Sequence, residues 1–115
     1  MTLDTNLKHL STADELKELI ENNENVMVCC GRMGPMCVPV YASMEELEGS
    51  EEYGNVAFRD MLFDNPEAGV IRSLPECSSF RGLPFTVYYK NGKVAKATSS
   101  IQSKEQITAN LNEIL

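Results

Sequence analysis

The sequence predicts an α/β domain with a mixed central β-sheet flanked by helices on both faces. Three observations predict it. The run Val26-Met27-Val28-Cys29-Cys30 is apolar without alternation, as a central strand covered on both sides requires. Thr12-Ala13-Asp14-Glu15 and Ser103-Lys104-Glu105-Gln106 are capping boxes, which mark helix starts by satisfying orphan N–H groups reciprocally. Asn91-Gly92 stands between two strand-forming segments and signals a tight hairpin, so the sheet ends in an antiparallel pair.

The elements follow in order. Leu7 to Leu10 reads as a short edge strand. A helix begins after Thr12, buries Leu16, Leu19 and Ile20, and ends at Asn22-Asn23. The central strand over 26–30 breaks at Gly31-Arg32-Met33-Gly34-Pro35. A second helix is expected from about Pro35 to Leu47, with Val40, Met44 and Leu47 at i, i+4, i+7 spacing and Pro39 bending or locally opening it. Asn55 to Phe63 forms the next strand, Asp64-Asn65-Pro66 a turn, and Glu67 to Ser73 a short helix. Leu74 to Gly82 is a loop. Phe85 to Tyr89 and Lys93 to Thr98 form the hairpin, and the closing helix buries Ile107, Leu111 and Ile114. The order β-α-β-α-β-α-β-β-α calls for parallel crossovers followed by an antiparallel end.

The 115 residues carry 43% apolar and 23% charged side chains, enough for one domain with its own core. Ten basic residues against seventeen acidic ones give a net charge of −7, which disfavours nucleic acid as a partner. No apolar run approaches the roughly 20 residues of a membrane span. The first residues lack the basic start and apolar stretch of a secretory signal, so a soluble cytoplasmic protein is expected. The four cysteines are Cys29, Cys30, Cys37 and Cys77, three of them within nine residues. Such clustering suits redox or metal chemistry in a reducing compartment, whereas a secreted disulfide scaffold spreads its cysteines. The plainer reading of Cys29 is a small buried apolar side chain.

Arg81-Gly82-Leu83-Pro84-Phe85-Thr86-Val87-Tyr88-Tyr89-Lys90-Asn91-Gly92-Lys93-Val94 resembles the thioredoxin family's pattern of Gly-(Ile/Val)-Pro-Thr, a strand, Lys-Asn-Gly and a second strand. Asp64-Asn65-Pro66 and the capped closing helix are similar too, and the resemblance runs from about Leu7 to Leu115. It implies the thioredoxin fold, a cis-proline at Pro84, and a groove beside it, lined by Leu83 and Pro84, that pairs with an extended substrate segment. The plainer reading of Pro84 is an ordinary trans turn before an edge strand.

The active-site turn departs from the family. Where thioredoxins carry Trp-Cys-Gly-Pro-Cys, this chain has Arg32-Met33-Gly34-Pro35-Met36-Cys37. Met33 and Met36 stand at the two cysteine positions, and a thioether cannot attack a disulfide. The tryptophan is missing, and the family's buried acid aligns with Met27. Cysteines flank the gap as Cys30 and Cys37, a Cys-x6-Cys spacing whose glycines and proline could fold back to let the pair meet. Cys29 and Cys30 point to opposite sheet faces, so only one of them can easily approach Cys37, and the plainer reading leaves both as structural cysteines. Cys30 is favoured, with Cys29 as the alternate.

If the pair meets, one thiolate attacks a substrate disulfide and the other thiol resolves the mixed disulfide. The resemblance implies Cys30 as nucleophile, while the helix N-terminus favours Cys37, with Arg32 as a nearby positive charge. Arg32, Met33, Gly34 and Pro35 would contact substrate. Cys77 is an auxiliary thiol, or more plainly a half-buried loop residue. The expected function is thus electron transport by a thiol–disulfide oxidoreductase using Cys30 and Cys37. Its partners would be disulfide-containing client proteins and, by resemblance, a flavin-dependent thioredoxin reductase. The competing reading is a redox-inactive thioredoxin-fold module that binds an extended peptide beside Pro84.

No cofactor or metal is expected. Cys-Cys-x6-Cys is not a familiar zinc or iron–sulfur spacing. Met33, Met36 and Met44 read as adaptable apolar contacts before soft-metal ligands. His9 reads as a surface or edge-strand residue, and Glu45 to Glu52 as a solvated acidic helix end.

Overall fold

The computed structural model describes residues 3–79 and 81–115. Five strands, β1 (Lys8–Leu10), β2 (Asn25–Gly31), β3 (Val56–Leu62), β4 (Phe85–Lys90) and β5 (Lys93–Ser99), form one sheet in the order β1-β3-β2-β4-β5. β1, β3 and β2 run parallel, while β4 is antiparallel to both β2 and β5. β2 lies in the middle with every residue buried, which explains its unbroken apolar run. The hairpin turns through Asn91 and Gly92, with φ of 53° and 80°, the left-handed pair that Asn-Gly tolerates.

Four helices cover the sheet: α1 (Ala13–Asn22), α2 (Val38–Glu48), α3 (Gly69–Arg72) and α4 (Lys104–Ile114). Both capping boxes form, with Thr12 accepting from Glu15 N–H and Ser103 from Gln106 N–H, each at 3.1 Å. One apolar layer joins Val40, Tyr41, Met44 and Leu47 of α2 and Ile107 and Leu111 of α4 to Met27, Cys29, Phe58 and Tyr88 of the sheet. The opposite layer joins Leu16 of α1 and Ile71 of α3 to Val26, Val28, Cys30, Met61, Phe85 and Val87. Each large side chain so buried contributes roughly 1.5–3 kcal/mol of transfer free energy.

Three expectations are corrected. α2 starts at Val38, not near Pro35: Cys37 N–H and Val38 N–H both donate to Gly34 C=O, at 3.0 and 2.9 Å, but Pro39 has no N–H for Pro35 C=O, so the ladder is interrupted after that first turn. Pro39 falls in the first turn of α2, where a missing N–H is tolerated, and the helix is opened locally on its N-terminal side. The expected helix over 67–73 divides into a 3-10 turn, Pro66–Ala68, and the single turn of α3. The expected loop over 74–82 contains a further 3-10 turn, Pro75–Ser79, while Phe80 lies outside the described residues.

Candidate functional site

The site is the junction of β2 and α2. β2 delivers Gly31 and Arg32 to the sheet's end, and the Gly34 turn then lifts Met33 and Met36 into solvent, 47% and 43% exposed. Across the junction the Leu83–Pro84 peptide bond is cis. Gly31 is the crowded point. A Cβ there would lie 2.7 Å from Tyr41 Oη, 2.9 Å from Cys37 Sγ and 3.1 Å from Pro84 Cβ, so only glycine fits without displacement. Gly34 has open space around it.

Arg32 holds the turn to β3's continuation. Its Nε and Nη2 donate to the two oxygens of Asp64 at 2.8 and 2.7 Å, and its guanidinium carbon lies 5.7 Å from the Phe63 ring centroid. The bidentate bond keeps the Asp64 carboxyl below its ordinary value. Arg32's charge is thus directed first at Asp64, with the Cys37 thiol a lesser electrostatic neighbour. Its backbone serves the junction instead, accepting from Tyr41 Oη–H at 3.2 Å and donating N–H to Cys37 Sγ at 3.5 Å.

All four cysteines are free and buried. Strand alternation divides them by face. Cys29 points to the α2 side, in the same apolar layer as Cys37 and Tyr41. Cys30 points to the α3 side, in the layer that holds Cys77. The structure therefore does not bring Cys30 and Cys37 together, because the sheet lies between them. Cys29, the alternate, is the cysteine on Cys37's face. Cys77 is buried beneath the loop and does not reach the surface of the turn. Burial pushes the Cys29 thiol well above its ordinary value and the Cys30 thiol up to about 12. Burial also raises Cys77.

A row of polar side chains crosses the sheet beneath α2, and sequence reasoning missed it. His9, Asp60, Cys29, Thr86 and Thr98 are lateral neighbours on successive strands and share one face. Asp60 is fully buried, accepting from Thr5 Oγ1 at 2.5 Å and meeting His9 Nδ1 at 2.6 Å. Burial raises the Asp60 carboxyl although both partners favour its charged form. Thr86 Oγ1 offsets part of the burial of the Cys29 thiol, but no hydrogen bond of full geometry links the two. His9 thus pins the first strand to a buried carboxylate and is more than an edge residue. The available signal was Asp60 itself, an acid inside the apolar stretch Val56 to Leu62.

Among the described residues, no group of three or more His, Cys, Asp or Glu side chains converges as a metal site, and no helix is long and apolar enough to cross a membrane.

Solved structures with a similar fold include thioredoxin from Malassezia sympodialis, at TM-score 0.76 and 15% identity, covering 94% of this chain and 92% of that one. Mitochondrial thioredoxin 3 from Saccharomyces cerevisiae aligns at TM-score 0.74 and 19% identity, over 93% of this chain and 94% of its own. Plasmodium falciparum thioredoxin aligns at TM-score 0.74 and 20% identity, over 95% of this chain and 100% of its own. The fold is that of thioredoxin. No protein-family model and no curated protein matches the sequence, so the likeness is one of architecture. Within the thioredoxin fold, exposed thioethers stand where the family resemblance places the reactive cysteines, and every thiol lies beneath the surface.

Proposed function

We propose that this chain is a thioredoxin-fold binding module that takes an extended segment of a partner protein across the Met33–Met36 turn, beside Leu83 and Pro84. One observation carries the reading. At the turn Met33 and Met36 are 47% and 43% exposed, whereas Cys29, Cys30, Cys37 and Cys77 are 0%, 0%, 3% and 4% exposed. Contact with a partner there is made by flexible, polarisable side chains suited to varied apolar surfaces. No thiolate is presented for attack on a client disulfide. Val38, 43% exposed, extends the apolar patch.

Thiol–disulfide exchange is the second reading, favoured by a specific observation. Cys37 Sγ sits at the entrance to α2, receives Arg32 N–H, and shares a face with Cys29. In that reading Cys37 and Cys29 replace Cys30 and Cys37 as the pair, the clients are disulfide-containing proteins, and a flavin-dependent thioredoxin reductase returns the electrons. A reducing cytoplasm would keep the four thiols free in either reading.

Insulin reduction by dithiothreitol, followed by turbidity, separates the two. The module gives no acceleration over dithiothreitol alone, and its thiol count after unfolding is the same before and after mild air oxidation. Acceleration that disappears in Cys37→Ser, with two thiols lost on oxidation, overturns the module in favour of the enzyme.

A further inference from the structure

A cavity of about 260 Å³ opens beside the turn, between the N-terminal segment and α2. Asp4, Thr5 and Asn6 form one wall, and Val38, Tyr41, Ala42 and Glu45 the other, with Met33 at the mouth. Asn6 N–H donates to Glu45 Oε2 at 2.8 Å and ties the two walls together, while Thr5 Oγ1 donates to buried Asp60 of β3 and fixes the N-terminal wall to the sheet. Leu3 and Leu7, each 3% exposed, anchor the segment in the core on either side.

The chemistry of the walls is two-sided. Met33 and Val38 offer apolar contact at the entrance. Asp4 and Glu45 contribute carboxylates, and among the described residues neither is ion-paired. No basic side chain lines the cavity, and Lys104, Arg32 and His9 are held by Glu46, Asp64 and Asp60. The Tyr41 hydroxyl is turned away toward Arg32 C=O. An apolar entrance leading to uncompensated negative charge complements a long aliphatic stem with a cationic head. Tyr41 also joins the cavity to the groove, because its hydroxyl and Pro84 meet on either side of Gly31.

We infer that this cavity is a specificity pocket for a lysine or arginine side chain of the bound partner segment. The inference rests on the binding-module reading and adds the class of partner, a segment with a basic residue beside its apolar contact. The acidic protein as a whole, at net charge −7, favours encounter with such a partner.

Two measurements test it. In the first, ¹⁵N-labelled protein is titrated with n-pentylammonium chloride and with n-pentanol, which share a stem and differ in charge. Saturable shifts at the Asn6, Ala42 and Glu45 amides are expected for the ammonium, roughly fivefold tighter than for the alcohol. That advantage is lost in Glu45→Gln combined with Asp4→Asn. The glutamine keeps an oxygen for Asn6 N–H, and an unchanged thermal midpoint certifies the fold. Equal affinity for the two probes, or an advantage that survives both substitutions, overturns the pocket. In the second, a random nonapeptide phage library is selected on wild-type and doubly substituted protein. Enrichment of Lys and Arg on the wild type alone supports the pocket. Peptides selected without a basic preference overturn the pocket and leave the groove standing. If no peptide is selected at all, the binding-module reading falls with the specificity claim, whatever the pentylammonium result.

Discussion

Gly31 shows how one missing Cβ organises the junction. It lets the Tyr41 hydroxyl, the Cys37 sulfur and the Pro84 ring converge on one point at the end of β2. Gly31→Ala is expected to destabilise the protein by about 1–3 kcal/mol through overpacking, read as a lower urea midpoint. Gly34→Ala, with nothing within 4 Å of its new Cβ, should stay within about 0.5 kcal/mol of wild type by the same measurement. Equal costs at the two positions would refute the role assigned to Gly31. The residue scale is also where sequence reading fell short. That Cys29 and Cys30 face apart is legible from strand alternation alone. Which of them shares a face with Cys37 is not, because that depends on the side of the sheet that α2 covers. The handedness of the crossover and the packing of the whole layer set that side. Cys30 looked nearer because it lies later in the strand, yet parity outweighs sequence distance. Arg32 misled likewise, since its partner Asp64 comes from the end of another strand, 32 residues away in sequence.

Elements were far more legible, because their signals are local. Both capping boxes, the Asn-Gly hairpin and the buried central strand depend on residues within a few positions of each other, and all of them form. The start of α2 was misplaced because Pro39 has no N–H to continue the ladder that Val38 N–H begins at Gly34 C=O, so regular helix starts only at Val38. For α1, Thr12→Ala should cost about 1 kcal/mol, measured as a shift in thermal midpoint. Glu15 adds a pH dependence of known sign. The N–H groups of Ser11 and Thr12 hold its carboxyl below the unfolded value. Its contribution is therefore present above an unfolded pKa of about 4.5 and is lost as pH falls through the lower folded value. The stability difference between wild type and Glu15→Gln should shrink over that acid range. A difference independent of pH would show that the carboxylate bonds contribute nothing. The group is solvent-exposed, so the effect is small.

At the scale of the whole molecule, a sheet buried on both sides encloses charge and thiols alike. Asp60 behaves oppositely to Glu15, because burial raises its folded value above the unfolded one. The folded state then holds the proton more tightly, so Asp60's contribution is fullest below its unfolded value of about 3.8 and diminishes as pH rises through the folded value. Relative to Asp60→Asn, wild type should lose stability across that window, as matched urea melts at several pH values would show. A relative gain on raising pH would mean that the bonds from Thr5 and His9 outweigh burial. Thiol accessibility gives a second global readout. Four buried cysteines predict that a chromogenic aromatic disulfide labels the native protein only as fast as it opens, and all four at once in denaturant. A thiol reacting instantly in native buffer would place one of them at the surface.

The separation of the cysteines into two layers carries a consequence for handling and ageing of the protein. While the sheet stands, an oxidant that crosslinks one compartment has no covalent route to the other, so damage stays segregated and reversible. Once heat or chaotrope dissolves that partition, sulfurs from both compartments mingle and non-native bridges form. Refolding yield in air should therefore drop sharply across the melting transition, and a reductant should restore it.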